Sequence, residues 1–209
     1  MKHPFLRRYT NIPSLVYLLS EGKLTLLDPS AWPDKNDSQF IEWYRDKKDG
    51  VASVLALCFT QATETYHHWQ VYAKGPAGVC IHFRREELLA AVKSHVQVRA
   101  RSVRYRKLTD PRAKTLAVPD LPFLKRIAFK DEREFRIIYE SDKPDEKLLD
   151  APIPLGCIER VTLSPEMHSR LTTPLKRLLR SIPGCADLEV QRSTLLGNRE
   201  WLRRGASAV

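Results

Sequence analysis

Apolar positions along the chain fall into short runs whose spacing switches between period two and period 3.6, so strands and helices are expected to alternate. Thr10-Asn11 ahead of Pro13 reads as a helix start, because Asn caps free N–H groups and proline is tolerated in a first turn. Leu15, Val16, Leu18 and Leu19 supply that helix's buried side, and Gly22 ends it. Lys23–Leu27 is then a short strand. Residues 28–37 place Pro29 and Pro33 among Asp, Ser and Asn, which predicts an irregular loop carrying Trp32 and several carboxylates. Val51–Phe59 is almost continuously apolar, as suits a strand covered on both faces. Glu64–Ala73 spaces Tyr66, Trp69, Gln70 and Ala73 as a helix does. Gly75-Pro76-Ala77-Gly78 turns the chain into a second core strand, where Val79, Ile81 and Phe83 alternate with Cys80 and His82.

Further along, Glu86–His95 reads as a short amphipathic helix and Val96–Tyr105 as an arginine-rich strand. Pro111, Pro119 and Pro122 break residues 109–122 into helix fragments and loop. The charged stretch Lys130–Ile138 reads as a strand with Phe135, Ile137 and Tyr139 on one side and Glu134, Arg136 and Ile138 on the other. If regular, it puts Glu132 on the Glu134 face as well. Ile158–Leu163 is another strand. Pro165–Ile182 carries the helical stripe Met167, Leu171, Leu175, Leu178 and Leu179, which Pro174 is expected to kink or divide. Leu188–Gln191 is a last strand, and residues 203–209 read as a frayed tail. Strands both paired and separated by helices favour an α+β fold, one domain over residues 1–209 with a mixed, mostly antiparallel sheet and flanking helices.

Composition narrows the setting. Apolar residues at 43% with 29% charged predict a packed core. There is no run of about 18 apolar residues to cross a membrane, and no apolar signal core follows the basic start, so a cytoplasmic protein is expected. Cys58, Cys80, Cys157 and Cys185 are scattered singly, which argues against a disulfide framework or a zinc site. His67 and His68 are adjacent and cannot form a helical i, i+4 metal pair. The formal net charge of +10 predicts attraction to nucleotides, nucleic acid or an acidic protein partner, unless it is only a solubilising surface.

Several pieces in order carry a resemblance. They are Arg8-Tyr9-Thr10, Gly22-Lys23-Leu24, Trp32-Pro33-Asp34 with Asn36-Asp37, Cys58-Phe59-Thr60, Trp69 with Tyr72-Ala73, residues 78–83, and Glu132-Arg133-Glu134-Phe135-Arg136. Over residues 5–165 this set resembles the bacterial domain-of-unknown-function family 2971, found in phage-defence and abortive-infection settings. Thr60 stands where that family commonly has serine, and Phe129-Lys130 where it usually has tryptophan. More distantly, Arg8, Tyr9-Thr10, a short helix, a glycine and Leu24 are similar to the start of ADP-ribosyltransferase-like proteins. Glu132-x-Glu134 is similar to their catalytic glutamates.

That second resemblance implies an enzyme using NAD. Transfer of ADP-ribose breaks the nicotinamide–ribose bond through an oxocarbenium-like state, and needs a carboxylate at the ribose, cations or hydroxyls at the pyrophosphate and an aromatic wall. It implies Glu134 as the ribose carboxylate, Glu132 as the aid to the nucleophile, and Arg8 or Arg136 at phosphate. Tyr9 and Thr60 would join the cofactor side, with Trp69 or Tyr72 at the base. Three other readings stay open. Alternating Glu and Arg also make cross-strand ion pairs with no catalytic role. The chain can be a basic module that binds nucleic acid or a partner protein without catalysis. A metal-dependent nuclease would gather Asp131, Glu132 and Glu134 on magnesium, but Arg136 stands where a Glu-x-Lys pairing needs lysine.

Overall fold

Strand β3 (Ser53–Thr60) is the axis of the molecule, and its apolar run is explained by burial on both faces. The computed structural model describes residues 4–93, 97–111 and 116–207. Along one edge β3 pairs antiparallel with β8 (Glu134–Ser141) over its whole length, from Ser53↔Ser141 to Thr60↔Glu134. Its other edge is shared. β1 (Phe5–Asn11) meets it at Arg7↔Thr60, and β2 (Lys23–Leu27) meets it at Leu27↔Ala56. The sheet therefore forks at Cys58. One branch runs through β1 to β4 (Gly78–Arg84), β10 (Ile158–Leu163) and β11 (Val190–Arg192). The other runs through β2 to β9 (Leu148–Pro152), while β5 (Val98–Ser102) extends the sheet beyond β8. The result is one α+β domain with a nine-stranded sheet, antiparallel throughout except for the β10–β11 pair.

The sheet's first face holds the main core. Leu6, Leu57, Phe59, Ile81, Phe83, Phe135 and Ile137 pack there against Leu15, Leu18 and Leu19 of α1 (Ile12–Glu21) and Leu88 and Val92 of α4 (Arg85–Val92). Leu179 of α5 (Ser169–Arg180) joins the same cluster. α1 starts as its sequence predicts: the Asn11 side chain accepts the Ser14 N–H at 2.9 Å, and Gly22 closes it in the left-handed region at φ 61°. The opposite face carries a smaller apolar cluster of Ile41, Tyr44, Val54, Ala56, Leu121, Phe123 and Ile138. It is covered by α2 (Lys35–Lys47), by α3 (Tyr66–Tyr72) and by the 3-10 turn Val118–Phe123. Gly78 admits no side chain where α3 hands over to β4, since a Cβ there would lie 2.0 Å from the Ala73 carbonyl oxygen.

Several sequence expectations are corrected. The loop over residues 28–37 ends early, because Asp34 caps α2 by accepting the Asn36 N–H at 3.1 Å. Asp37 is consequently a helical residue, on the same inner side as Ile41 and Tyr44. The charged strand begins at Glu134, not Lys130, since Ile127–Glu132 is a 3-10 turn and Arg133 is left-handed at φ 43°. Pro174 does not divide α5, which runs unbroken from Ser169 to Arg180. The arginine-rich stretch splits after Ser102: β6 (Arg104–Arg106) leaves the sheet to pair parallel with β7 (Leu124–Arg126). α6 (Arg199–Ala206), capped by Asn198, extends into the first residues of the expected tail. His95 and Val96 of the expected elements lie outside the described residues. Among the described residues no helix is long and apolar enough to cross a membrane.

Candidate functional site

Pieces distant in sequence meet on the second face, at the β8 end nearest Thr60. Arg136 points inward from β8 and is fully buried. Asp37 grips it as a fork, with Nη1 to Oδ1 at 2.8 Å and Nη2 to Oδ2 at 2.7 Å, a bidentate geometry that only guanidinium offers. Arg136 Nε donates to Glu134 Oε1 at 2.7 Å, and Nη1 also donates to the Pro122 carbonyl at 2.8 Å. Every nitrogen of the group is engaged, and its carbon lies 4.9 Å from the Trp32 ring centre. The loop tryptophan and Asp37 therefore serve one buried cation.

Lys125, from β7, enters between three carboxylates. Its Nζ lies 2.7 Å from Glu132, 3.4 Å from Glu134 and 3.5 Å from Asp37. Burial alone would lower its pKa, but Glu134 and Asp37 raise it overall. For Glu134, which is 5% exposed, burial opposes ionisation. Arg136 and then Lys125 outweigh that term and hold the carboxyl at about 2. Burial, and then Glu134, push the neighbouring Cys58 thiol well up, so it stays protonated. The Tyr105 hydroxyl accepts the Glu134 N–H at 2.8 Å.

Glu132 reaches this cluster by a different route from the one its spacing suggested. It lies outside the strand, and the left-handed Arg133 turns the chain so that both its ends face inward. Its carbonyl accepts the Thr60 hydroxyl at 2.5 Å and lies 3.4 Å from His68 Nε2. Its carboxylate accepts the Tyr72 hydroxyl at 2.5 Å besides the Lys125 bond. Tyr72, 43% exposed, forms the outer edge. Asp37, Glu132 and Glu134 thus set three carboxylates against two cations, leaving one formal negative charge in a nearly dry site.

The remaining candidates lie elsewhere. Trp69 is 1% exposed and belongs to a small core cluster with Tyr9, Ala73 and Cys80, its Nε1 donating to Glu64 at 2.7 Å. The Tyr9 ring meets Trp69 edge-on at 5.0 Å and stacks on His68 at 5.3 Å. Arg8 faces the other side of β1, opposite Ile81, and its Nη1 approaches the Cys58 carbonyl at 3.3 Å, across the fork. No carboxylate pairs with Arg8 among the described residues, and burial lowers its pKa. Sequence reasoning gave Asp37 no role and missed Lys125 and Tyr105. Asp37 sat inside a motif already singled out; Leu124-Lys125-Arg126 carries no signal that separates it from ordinary surface charge.

No protein-family model matches the chain. No curated protein matches it either. Among solved structures it is similar to DarT of Thermus sp. 2.9 in complex with NAD+, at 12% identity and TM-score 0.46, over 92% of this chain and 96% of that one. The same protein in complex with carba-NAD+ gives 13% identity and TM-score 0.47, over 92% and 97%. In complex with ADP-ribosylated single-stranded DNA it gives 13% and 0.45, over 91% and 94%. The likeness is one of overall structure at a distance.

Proposed function

We propose that the chain transfers ADP-ribose from NAD, using the carboxylate cluster around Glu134 and Glu132. The observation that carries this reading is the uncompensated negative charge of a buried site with three carboxylates and two cations. A ribose oxocarbenium is the kind of short-lived cation such a site stabilises, because fixed charge acts strongly where water is excluded. In the reaction the bond between ribose C1′ and nicotinamide nitrogen breaks, and its electron pair leaves with nicotinamide. The acceptor's lone pair then bonds to C1′. Glu134 faces the developing cation, Glu132 takes the acceptor's proton, and Tyr72 flanks the sugar or base. Arg8, which reaches the Cys58 carbonyl at the fork and pairs with no carboxylate among the described residues, is our choice for pyrophosphate; Arg136, with every nitrogen engaged, holds Glu134 and Asp37 in place.

Incubation of the purified protein with NAD and mixed nucleic-acid and protein acceptors should release nicotinamide, read by chromatography. Glu132→Gln should slow release at least about a hundredfold, the low end for losing a positioned acid–base group. No release from the wild-type chain, with no calorimetric binding of NAD, would sink the reading. A rate untouched by Glu132→Gln would sink the assignment.

One observation favours a second reading. Trp201 of α6 is 74% exposed between Arg199 and Arg203-Arg204, although Glu200 pairs with the last two. An exposed aromatic among arginines suits stacking on unpaired bases. That binding module would hold single-stranded oligonucleotides with a steep salt dependence, lose affinity with Trp201→Ala and ignore Glu134→Gln. Absence of binding at low salt would remove it.

A further inference from the structure

A row of opposed residues crosses five strands of the second face: Arg160 of β10, His82 of β4, Arg7 of β1, Thr60 of β3 and Glu134 of β8. At one end stands the paired carboxylate cluster. At the other, two guanidiniums flank a histidine, and the row's one carboxylate, Glu134, lies at the far end. The next row, Tyr9, Cys80 and Thr162, lies alongside. Arg7, His82 and Arg160 of the first row and Tyr9, Cys80 and Thr162 of the second line a cavity of about 90 Å³, which also touches Glu64 and Gln191.

Buried polar atoms are nearly always paired, so those left unpaired mark places where something else belongs. Of six such side-chain atoms among the described residues, four belong to side chains that line this cavity: Arg7 Nε, Tyr9 Oη, His82 Nδ1 and Arg160 Nε. Arg7, Tyr9 and His82 are each less than a tenth exposed. The Tyr9 hydroxyl has only the Cys80 sulfur beside it, a weak acceptor. His82 Nε2 lies 3.1 Å from the Thr162 hydroxyl; when it accepts that proton, Nδ1 carries the hydrogen and is an unpaired donor. All four unpaired atoms are then donors. Glu64 is the one carboxylate at the rim, and its Oε1 is already held by Trp69 Nε1 and by the Ser193 hydroxyl at 2.5 Å. Two guanidiniums against one hydrogen-bonded carboxylate leave a net positive charge.

We propose that this cavity is an oxyanion site that takes a phosphate group, held by Arg7, Arg160, Tyr9 and His82. An apolar group would leave the donors unpaired, and a metal cation would meet two guanidiniums. Water alone fits the volume but not the charge. A tetrahedral oxyanion supplies acceptors in several directions at once. Arg7 lies two strands from Glu134, roughly 10 Å at the usual strand spacing. The phosphate can therefore be free inorganic phosphate or part of a nucleotide that reaches the carboxylate cluster. The site stands without the transferase reading, since it rests on its own unpaired donors.

Calorimetry with inorganic phosphate in a low-salt, phosphate-free buffer tests it, together with the ring-nitrogen NMR signals of His82. Saturable binding with a shifted His82 signal is expected, weakened about tenfold or more by Arg160→Gln, in line with the loss of one charged hydrogen bond. Tyr9→Phe, which leaves the fold's paired atoms alone, should weaken it several-fold. Displacement of phosphate by NAD would assign the group to a dinucleotide; bound phosphate that NAD does not displace would assign it to free phosphate or a monoester. Either supports the site. No saturable binding, or binding that neither variant weakens and His82 does not report, would overturn it.

Discussion

Around Lys125 and Arg136, five charged side chains have matched their oxygens and nitrogens within one compact cluster. Two to four strands away on the same face, Arg7, Tyr9, His82 and Arg160 line a cavity and leave four buried polar atoms unmatched. Both groups come from the same sheet, and both are largely buried. They differ in what completes them. The carboxylate cluster has its hydrogen bonds met within the chain, with one formal negative charge left over, so removing a cation leaves carboxylates stranded in a dry site. The cavity is incomplete within the chain, so removing the Tyr9 hydroxyl or the Arg160 guanidinium strands no buried charge. Stability should therefore respond sharply at the first region and weakly at the second, while affinity for an anion should do the reverse.

The largest expected effect is at Arg136. Arg136→Leu leaves Asp37 and Glu134 buried without their shared cation, which is expected to cost about 3–5 kcal/mol in denaturant unfolding. Arg160→Gln should change stability by less than about 0.5 kcal/mol, because its half-exposed guanidinium shares the cavity with Arg7 and makes no ion pair among the described residues. If the two substitutions cost the same, the distinction between a completed and an uncompleted cluster fails.

Acid separates the regions by pH window. Glu134 is depressed from 4.5 to about 2, so its contribution is fully present above the unfolded value and is lost as pH falls from about 4.5 toward 2. His82 is lowered to about 3, first by burial and then by Arg160 and Arg7. Its neutral form is favoured in the fold, so stability falls as pH drops from about 6.5, where the unfolded histidine begins to take up protons, toward 3. Arg7, Arg160 and the rim carboxylate Glu64 are the charged groups facing it. Stability measured from pH 7 downward should show a first decline that His82→Gln makes shallower, the remainder belonging to His68, which burial also lowers. A second decline below about 4.5 should remain in that variant. A single decline common to both proteins would merge the two regions.

How much of this was legible in the sequence follows from the range of the forces involved. The strands Lys23–Leu27, Gly78–Arg84 and Ile158–Leu163, and the Asn11 cap with Gly22, were readable because period and capping act within a few residues. The side of β8 that carries Glu134 and Arg136 was readable for the same reason. The α2 start was hidden by Pro33 and the run of turn formers, although Asp34 was its cap. Glu132 could not be placed, because its position depends on a single left-handed residue, Arg133. Lys125 and Asp37 lie 88 residues apart and gain their meaning only when the chain closes on itself. Arg7 carried no signal of its own, because strand alternation fixes that it and Arg8 differ in side but not that one of those sides holds a cavity.

The smallest expected effects come from two tyrosines, and they test the comparison most cleanly. Tyr72→Phe removes a hydroxyl that donates to the Glu132 carboxylate. It is expected to destabilise by about 1 kcal/mol, the lower range for a hydrogen bond to a charged group at a half-exposed position. Tyr9→Phe removes a hydroxyl with only a sulfur beside it, and its ring can keep its packing on Trp69 and His68. Its stability should stay within about 0.5 kcal/mol of wild type, because no strong hydrogen bond is lost. Added phosphate should raise the melting temperature of the wild-type chain more than that of Tyr9→Phe, since a ligand stabilises only as far as it binds the folded state. For Tyr72→Phe the increment should match wild type. A phosphate increment that is lost in Tyr72→Phe and kept in Tyr9→Phe would move the anion to the carboxylate end of the row, and with it the assignment of which region the chain completes by itself.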